Sequence, residues 1–203
     1  LLYGGLFLGV GGAFARIWLI RGDAPARTAV GAALLAGAAG AVLSAGFQGL
    51  DALGVPVAAI THPPVWSSAM ATSFGRTVIV ALVALALAAL GLPRATPATR
   101  LLSLAALLLA GLALALSGHA SAAAPQWLTR PAVFAHGVAI AYWAGALIPL
   151  GMALRRGDAE AVPALRRFAA TIPAVVALLV AAGVVLAIVQ VGTPAALVET
   201  AYG

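Results

Sequence analysis

Residues 74–92 read FGRTVIVALVALALAALGL, an apolar run in which Arg76 is the one charged residue. A helix needs about 20 apolar residues to cross the hydrocarbon core of a bilayer. The run is solidly apolar and lacks the strict alternation of polar and apolar residues found in strands of outer-membrane barrels. It therefore predicts a membrane-spanning α-helix.

Other stretches of the same kind lie on both sides of this run, and clusters containing proline or glycine separate them. The predicted spans cover residues 1–20, 28–50, 74–92, 100–117, 131–154 and 168–191. The sequence thus predicts an all-α integral membrane protein, in which residues 1–203 form a single polytopic domain with a bundle of about six transmembrane helices.

The composition supports this fold class. Of the 203 residues, 64% are hydrophobic and 8% are charged, whereas a soluble domain has about 45–50% apolar and about 25% charged residues. So few charges cannot keep the surface of a soluble protein hydrated, which excludes a soluble globule and a disordered chain. The chain has no cysteine, so neither a disulfide nor a thiolate metal site can form within it.

The basic residues carry a topology signal. All 11 are arginine, and Arg76 and Arg130 lie at the opposite ends of the spans from the rest. The positive-inside rule predicts that the connections between spans 1 and 2, 3 and 4, and 5 and 6 are cytoplasmic, with both chain ends periplasmic. We expect the lipid bilayer as a partner and no nucleic acid. The nine arginines beside these connections are Arg16, Arg21, Arg27, Arg94, Arg100, Arg155, Arg156, Arg166 and Arg167.

Sequence motifs for catalysis are missing. The chain has no Walker A motif, no Gly-x-Ser-x-Gly and no His-Glu-x-x-His. A carboxylate buried in the membrane is the usual proton carrier of pumps, but every acidic residue lies at or outside a predicted span boundary. Carboxylate-based proton coupling is therefore not expected, and the missing Walker A motif excludes ATP hydrolysis within these residues. From the missing catalytic motifs we expect a protein that is not an enzyme. The acidic residues are Asp23, Asp51, Asp158, Glu160 and Glu199.

Three histidines fall on the predicted outer side, and we take them with one methionine as candidate metal ligands. His62 and Met70 lie in the connection between spans 2 and 3, His119 follows span 4, and His136 lies in the first turns of span 5. Imidazole suits copper, zinc, iron and nickel, and a thioether adds a preference for Cu(I). Because spans 4 and 5 form a hairpin, His119 and His136 are expected at similar depth.

Each histidine also has a structural interpretation. His62 would be a solvated loop residue, His119 would bond to loop carbonyls, and His136 would form a hydrogen bond across the bundle. A histidine inside a membrane span is costly and is therefore often functional. Both interpretations of His136 fit the sequence.

Two stretches resemble the bacterial copper resistance D (CopD) family. They are LSGHA at residues 116–120 and FAHGVAIAYWAGAL at residues 134–147, and shorter similarities occur at residues 74–76, 165–168 and 199–203. The resemblance implies a multi-pass inner-membrane protein that transports or handles copper, with His119 and His136 at the motif positions. It implies a periplasmic CopC-like copper-binding protein or fused domain as partner. It also implies a longer, eight-span protein of which this sequence is a piece.

The same residues suit two other functions. His119 and His136 could be the axial haem ligands of a membrane b-type cytochrome, because an antiparallel helix hairpin with histidines at matching depth can hold a haem b. Alternatively, the chain could be a structural or docking subunit whose histidines only form hydrogen bonds. Neutral imidazole binds copper in either oxidation state. Import and export of copper both fit the sequence.

Overall fold

A computed structural model describes residues 1–20, 26–93 and 95–191. Within these residues the chain is helical and has no strand, and six helices are long and apolar enough to cross a membrane. This confirms the predicted all-α membrane-bundle class, while the side of the membrane that each end faces stays a prediction. The six are α1 (Leu2–Ile20), α2 (Arg27–Leu53), α3 (Ser73–Gly91), α4 (Pro97–Ala115), α5 (Gln126–Arg156) and α6 (Ala161–Val191).

Three short helical segments lie in the connections: a 3₁₀ turn at Val57–Thr61, a helix at Pro63–Ala71 and a single turn at His119–Ala122. All three lie at one end of the bundle, which we call the histidine end because His62 and His119 are there. We call the opposite end the arginine end. Its described arginines are Arg16, Arg27, Arg100, Arg155, Arg156, Arg166 and Arg167, whereas Arg21 and Arg94 lie outside the described residues.

Two helices begin five or more residues earlier than the sequence predicts. Helix α5 starts at Gln126 instead of residue 131, and it contains Pro131 within its second turn. Pro131 lies beyond the first turn, so it removes one backbone hydrogen bond inside the helix, the one that would reach the carbonyl of Trp127. Helix α6 starts at Ala161 instead of residue 168, and it includes Arg167, whose guanidinium is held by hydrogen bonds to the bundle.

Helix α1 is the centre of the bundle. It contacts each of the other five long helices, and 72% of its apolar window is buried. It has π-helical hydrogen bonding at Gly5–Val10 and at Arg16–Ile20. Helix α6 is the opposite case, with 6% of its window buried, because it packs mainly along α5 and leaves most of its apolar surface outside the bundle.

Glycines allow α1 to approach its neighbours at backbone distance. A Cβ atom on Gly5 would lie 2.2 Å from the Cα of Gly37 in α2. A Cβ atom on Gly145 of α5 would lie 2.3 Å from the carbonyl carbon of Gly11. Lipid supplies no hydrophobic force that drives helices together, so association depends on such close packing of small residues.

Arginines cap helix ends at the arginine end. Arg16 donates from Nη1 to the carbonyl of Leu92 at 2.8 Å, and Arg167 donates to the carbonyl of Leu19. The last carbonyls of a helix have no partner within the helix, and the helix dipole makes them negative. These arginines therefore stabilise the fold. They also belong to the arginines from which the positive-inside rule predicts the orientation.

Candidate metal ligands at the histidine end

The turn that carries His119 is attached to the rest of the bundle by hydrogen bonds. The hydroxyl of Thr77, buried in α3, bonds to the carbonyl of Ala113 at 3.1 Å and to the hydroxyl of Ser117 at 2.7 Å. The hydroxyl of Ser121 donates to the carbonyl of Ser117 at 3.0 Å. These three hydrogen bonds hold the Ser-Gly-His turn on both sides, so the backbone around His119 has a defined position beside α3 and α4.

Gly118 gives this turn its direction. Its φ is +98°, in a region that residues with a side chain rarely adopt. The chain leaves α4 at Ala115, reverses at Gly118 and begins the short helix His119–Ala122. As a result, the side chain of His119 is exposed in the connection beyond α4.

His136 belongs to α5, and its side chain lies at the contact between α5 and α6. Its ring is half-buried, and its Nδ1 is 3.2 Å from the carbonyl oxygen of Leu179 in α6. A carbonyl oxygen only accepts a hydrogen bond, so Nδ1 carries the proton. In the neutral ring, Nε2 then holds the lone pair that can bind a metal.

The surroundings of His136 place it inside the bundle. A Cβ atom on Gly183 would lie 3.6 Å from its Cε1, so the ring packs against the backbone of α6. The adjacent Gly137 packs on the other side, where its added Cβ would lie 3.5 Å from the Cα of Gly111 in α4. Gly111 is about 6 Å from the end of α4 at 1.5 Å per residue, so His136 lies at the depth of the membrane spans.

The other two candidates are at the surface of the histidine end. His62 is exposed and precedes the helix Pro63–Ala71, and its carbonyl accepts the N–H of Val65 at 3.1 Å. Met70 is in the last turn of the same helix, with 39% of its surface exposed. The indole N–H of Trp66 donates to the carbonyl of Ile60 at 2.8 Å and ties this helix to the preceding 3₁₀ turn.

The structure does not collect these side chains into one chelating group. Among residues 1–20, 26–93 and 95–191, no three histidine, aspartate or glutamate side chains are placed to hold a metal ion together. His136 contacts α6, whereas His119 lies in the connection after α4. The arrangement offers single imidazoles at the surface and one that is half-buried between α5 and α6.

Sequence reasoning missed the polar contacts that hold this end together. Thr77 stands in an apolar run, and a hydroxyl in such a run is the signal that would have pointed to a bond across helices. The bond from Thr77 to Ser117 joins residues 40 positions apart, so their spacing gives no indication of it.

No protein-family model, curated protein or solved structure matches the chain. The resemblance of residues 116–120 and 134–147 to the CopD family therefore stays a prediction, and its element at residues 199–203 lies outside the described residues.

Proposed function

We propose that this protein transports or handles copper ions across the bacterial inner membrane, and that the histidine end faces the periplasm. The observation that carries the proposal is the hydrogen bond between Nδ1 of His136 and the carbonyl of Leu179. Metal-binding histidines typically donate their second ring N–H to a carbonyl or carboxylate, which fixes the ring and aims the other nitrogen at the metal. His136 has this arrangement at the depth of the membrane.

The separation of the ligands suits copper as cargo. A transported ion must bind well enough to enter and weakly enough to leave, and a complete cage of ligands would hold it. His62, Met70 and His119 are exposed at the surface, and His136 is half-buried between α5 and α6. Copper would bind the surface groups first and then Nε2 of His136.

The exposed ligands also support a partner on the same side. A CopC-like copper-binding protein, or a domain fused to this chain, would deliver its ion to His62, Met70 or His119 without having to enter the membrane. Imidazole and thioether are ligands that copper accepts, so the ion could exchange directly between the two proteins.

The proposal is tested by the copper and haem content of the purified protein after equilibration with copper. The double variant His119→Gln, His136→Gln is measured in parallel, because glutamine at position 136 can still donate a hydrogen bond to Leu179. We expect roughly stoichiometric copper in the native protein and its loss in the double variant. Equal copper in both proteins would contradict the histidine site. A Soret band in native protein without copper would instead favour the b-type cytochrome.

A further inference from the structure

Three arginines lie at the connection between α5 and α6, which we call the corner, and their side chains do not help to hold the helices together. Arg155, Arg156 and Arg166 are exposed, and no hydrogen bond or ion pair engages their side chains within the described part of the chain. The adjacent Arg167 differs, because it donates to the carbonyl of Leu19 and to Glu160 at 3.1 Å. With Glu160 so engaged, Asp158 is the one other acidic residue in this stretch, and the corner keeps an excess of positive charge.

A shallow, open apolar depression, which we call the groove, lies on one face of α6 beyond the same corner. Pro173 is seven residues after Arg166, which is about two helical turns and brings both to one face of the helix. The groove begins about 10 Å from Arg166 and extends about 14 Å further along the helix. Its lining residues are Ile172, Pro173, Val176, Ala177, Val180 and Ala181.

We propose that this surface binds an anionic phospholipid, with its phosphate on Arg166, Arg155 and Arg156 and an acyl chain in the groove of α6. The charge excess at one end and the apolar lining beyond it match the two parts of such a lipid. The hydrocarbon of one leaflet is about 15 Å thick, so a chain anchored at Arg166 reaches the groove. A long arginine side chain can extend to the headgroup region while its methylene groups stay in contact with apolar surface.

The test is native mass spectrometry of the protein in detergent with an equimolar mixture of phosphatidylglycerol and phosphatidylcholine. One arginine near an anionic lipid surface contributes about a fivefold preference. We therefore expect the native protein to retain phosphatidylglycerol at least about tenfold over phosphatidylcholine. The triple variant Arg155→Gln, Arg156→Gln, Arg166→Gln should retain the two lipids about equally. The control Arg76→Gln, Arg130→Gln, at the histidine end, should keep the native preference.

A second pair of variants tests the groove. Ala177→Phe fills the groove and should reduce retention of phosphatidylglycerol severalfold, while Ala39→Phe, at an exposed alanine of α2, should leave it unchanged. Inorganic phosphate in large excess should not displace the lipid, because it has no acyl chain.

Four outcomes would overturn the proposal. They are equal retention of the two lipids by the native protein, an unchanged preference in the triple variant, displacement by phosphate, and a dimer of this chain that carries no lipid. In such a dimer a second copy, and not a lipid, would cover the surface. Unchanged lipid retention in Ala177→Phe would overturn the assignment of the groove. None of these results depends on copper, so the lipid site and the proposed transport function fail or stand separately.

Discussion

The crossing of α1 and α5 makes a strong prediction about stability. In Gly145→Ala, the new methyl carbon would lie 2.3 Å from the carbonyl carbon of Gly11, 2.5 Å from its Cα and 2.6 Å from the nitrogen of Gly12. Ordinary contact begins at 3.4 Å, so the shortest of these distances has to grow by 3.4 − 2.3 = 1.1 Å. All three neighbours are backbone atoms of the central helix, and none can rotate out of the way.

The expected cost follows from this overlap. Overpacking a dense core costs typically 1–3 kcal/mol, and a clash between two backbones has no cheap relaxation. We expect Gly145→Ala to lower the free energy of unfolding by about 3 kcal/mol. The same change at Gly151 is a matched control, because it lies on the same helix and a Cβ atom there would meet nothing within 4 Å. A gain in helix propensity should leave Gly151→Ala neutral or up to about 1 kcal/mol more stable.

The assay is reversible unfolding of both variants in mixed micelles, followed by circular dichroism as the denaturing detergent fraction rises. The account predicts a difference of about 3–4 kcal/mol between the two variants. If their free energies of unfolding agreed within about 0.5 kcal/mol, a typical effect of a neutral surface substitution, the close crossing at Gly145 would be refuted.

Three further predictions concern polar groups. Thr77→Val removes the hydrogen bonds to the Ala113 carbonyl and to the Ser117 hydroxyl. The loss of these two bonds should lower the free energy of unfolding by about 1–2 kcal/mol in the same assay. A Thr77→Ser variant that is as unstable as Thr77→Val would contradict this cause. Arg16→Met removes a charged donor to Leu92 and should cost about 2 kcal/mol, whereas Arg130→Met, at an exposed arginine, should stay within about 0.5 kcal/mol of native. Finally, copper bound at pH 8 should be lost at pH 5, since imidazole must be neutral to bind a metal; equal copper content at the two pH values by elemental analysis would argue against histidine ligands.

The apolar runs were sufficient to predict the number of long helices but not their places in the bundle. Helix α6 has the highest mean hydropathy of the six and is the least buried, while α1 has the lowest and is the most buried. This order is physically reasonable, because lipid is as apolar as a leucine side chain and does not exclude apolar helices from its surface. The glycines of α1, and its Arg16, which caps α3, suit a helix at the centre of the bundle. Hydropathy alone does not indicate that position.

The candidate site was predictable in its chemistry and not in its contacts. The residue types and their common end of the bundle follow from the sequence, since they depend on the alternation of spans and connections. The bond from His136 to Leu179 depends on which helix lies beside α5 and at what height. That is decided by packing among all the helices, so the spacing of residues along one helix could not give it.

Copper flux into proteoliposomes tests the central claim, that copper crosses the membrane through His136. The measurement compares the native protein with His136→Gln and with Trp143→Phe, a control at a side chain that is 42% exposed on the same helix. The account predicts copper flux for the native protein and for the Trp143 variant, and flux no higher than that of protein-free liposomes for His136→Gln. A His136→Gln variant that moves copper at the native rate would contradict the account.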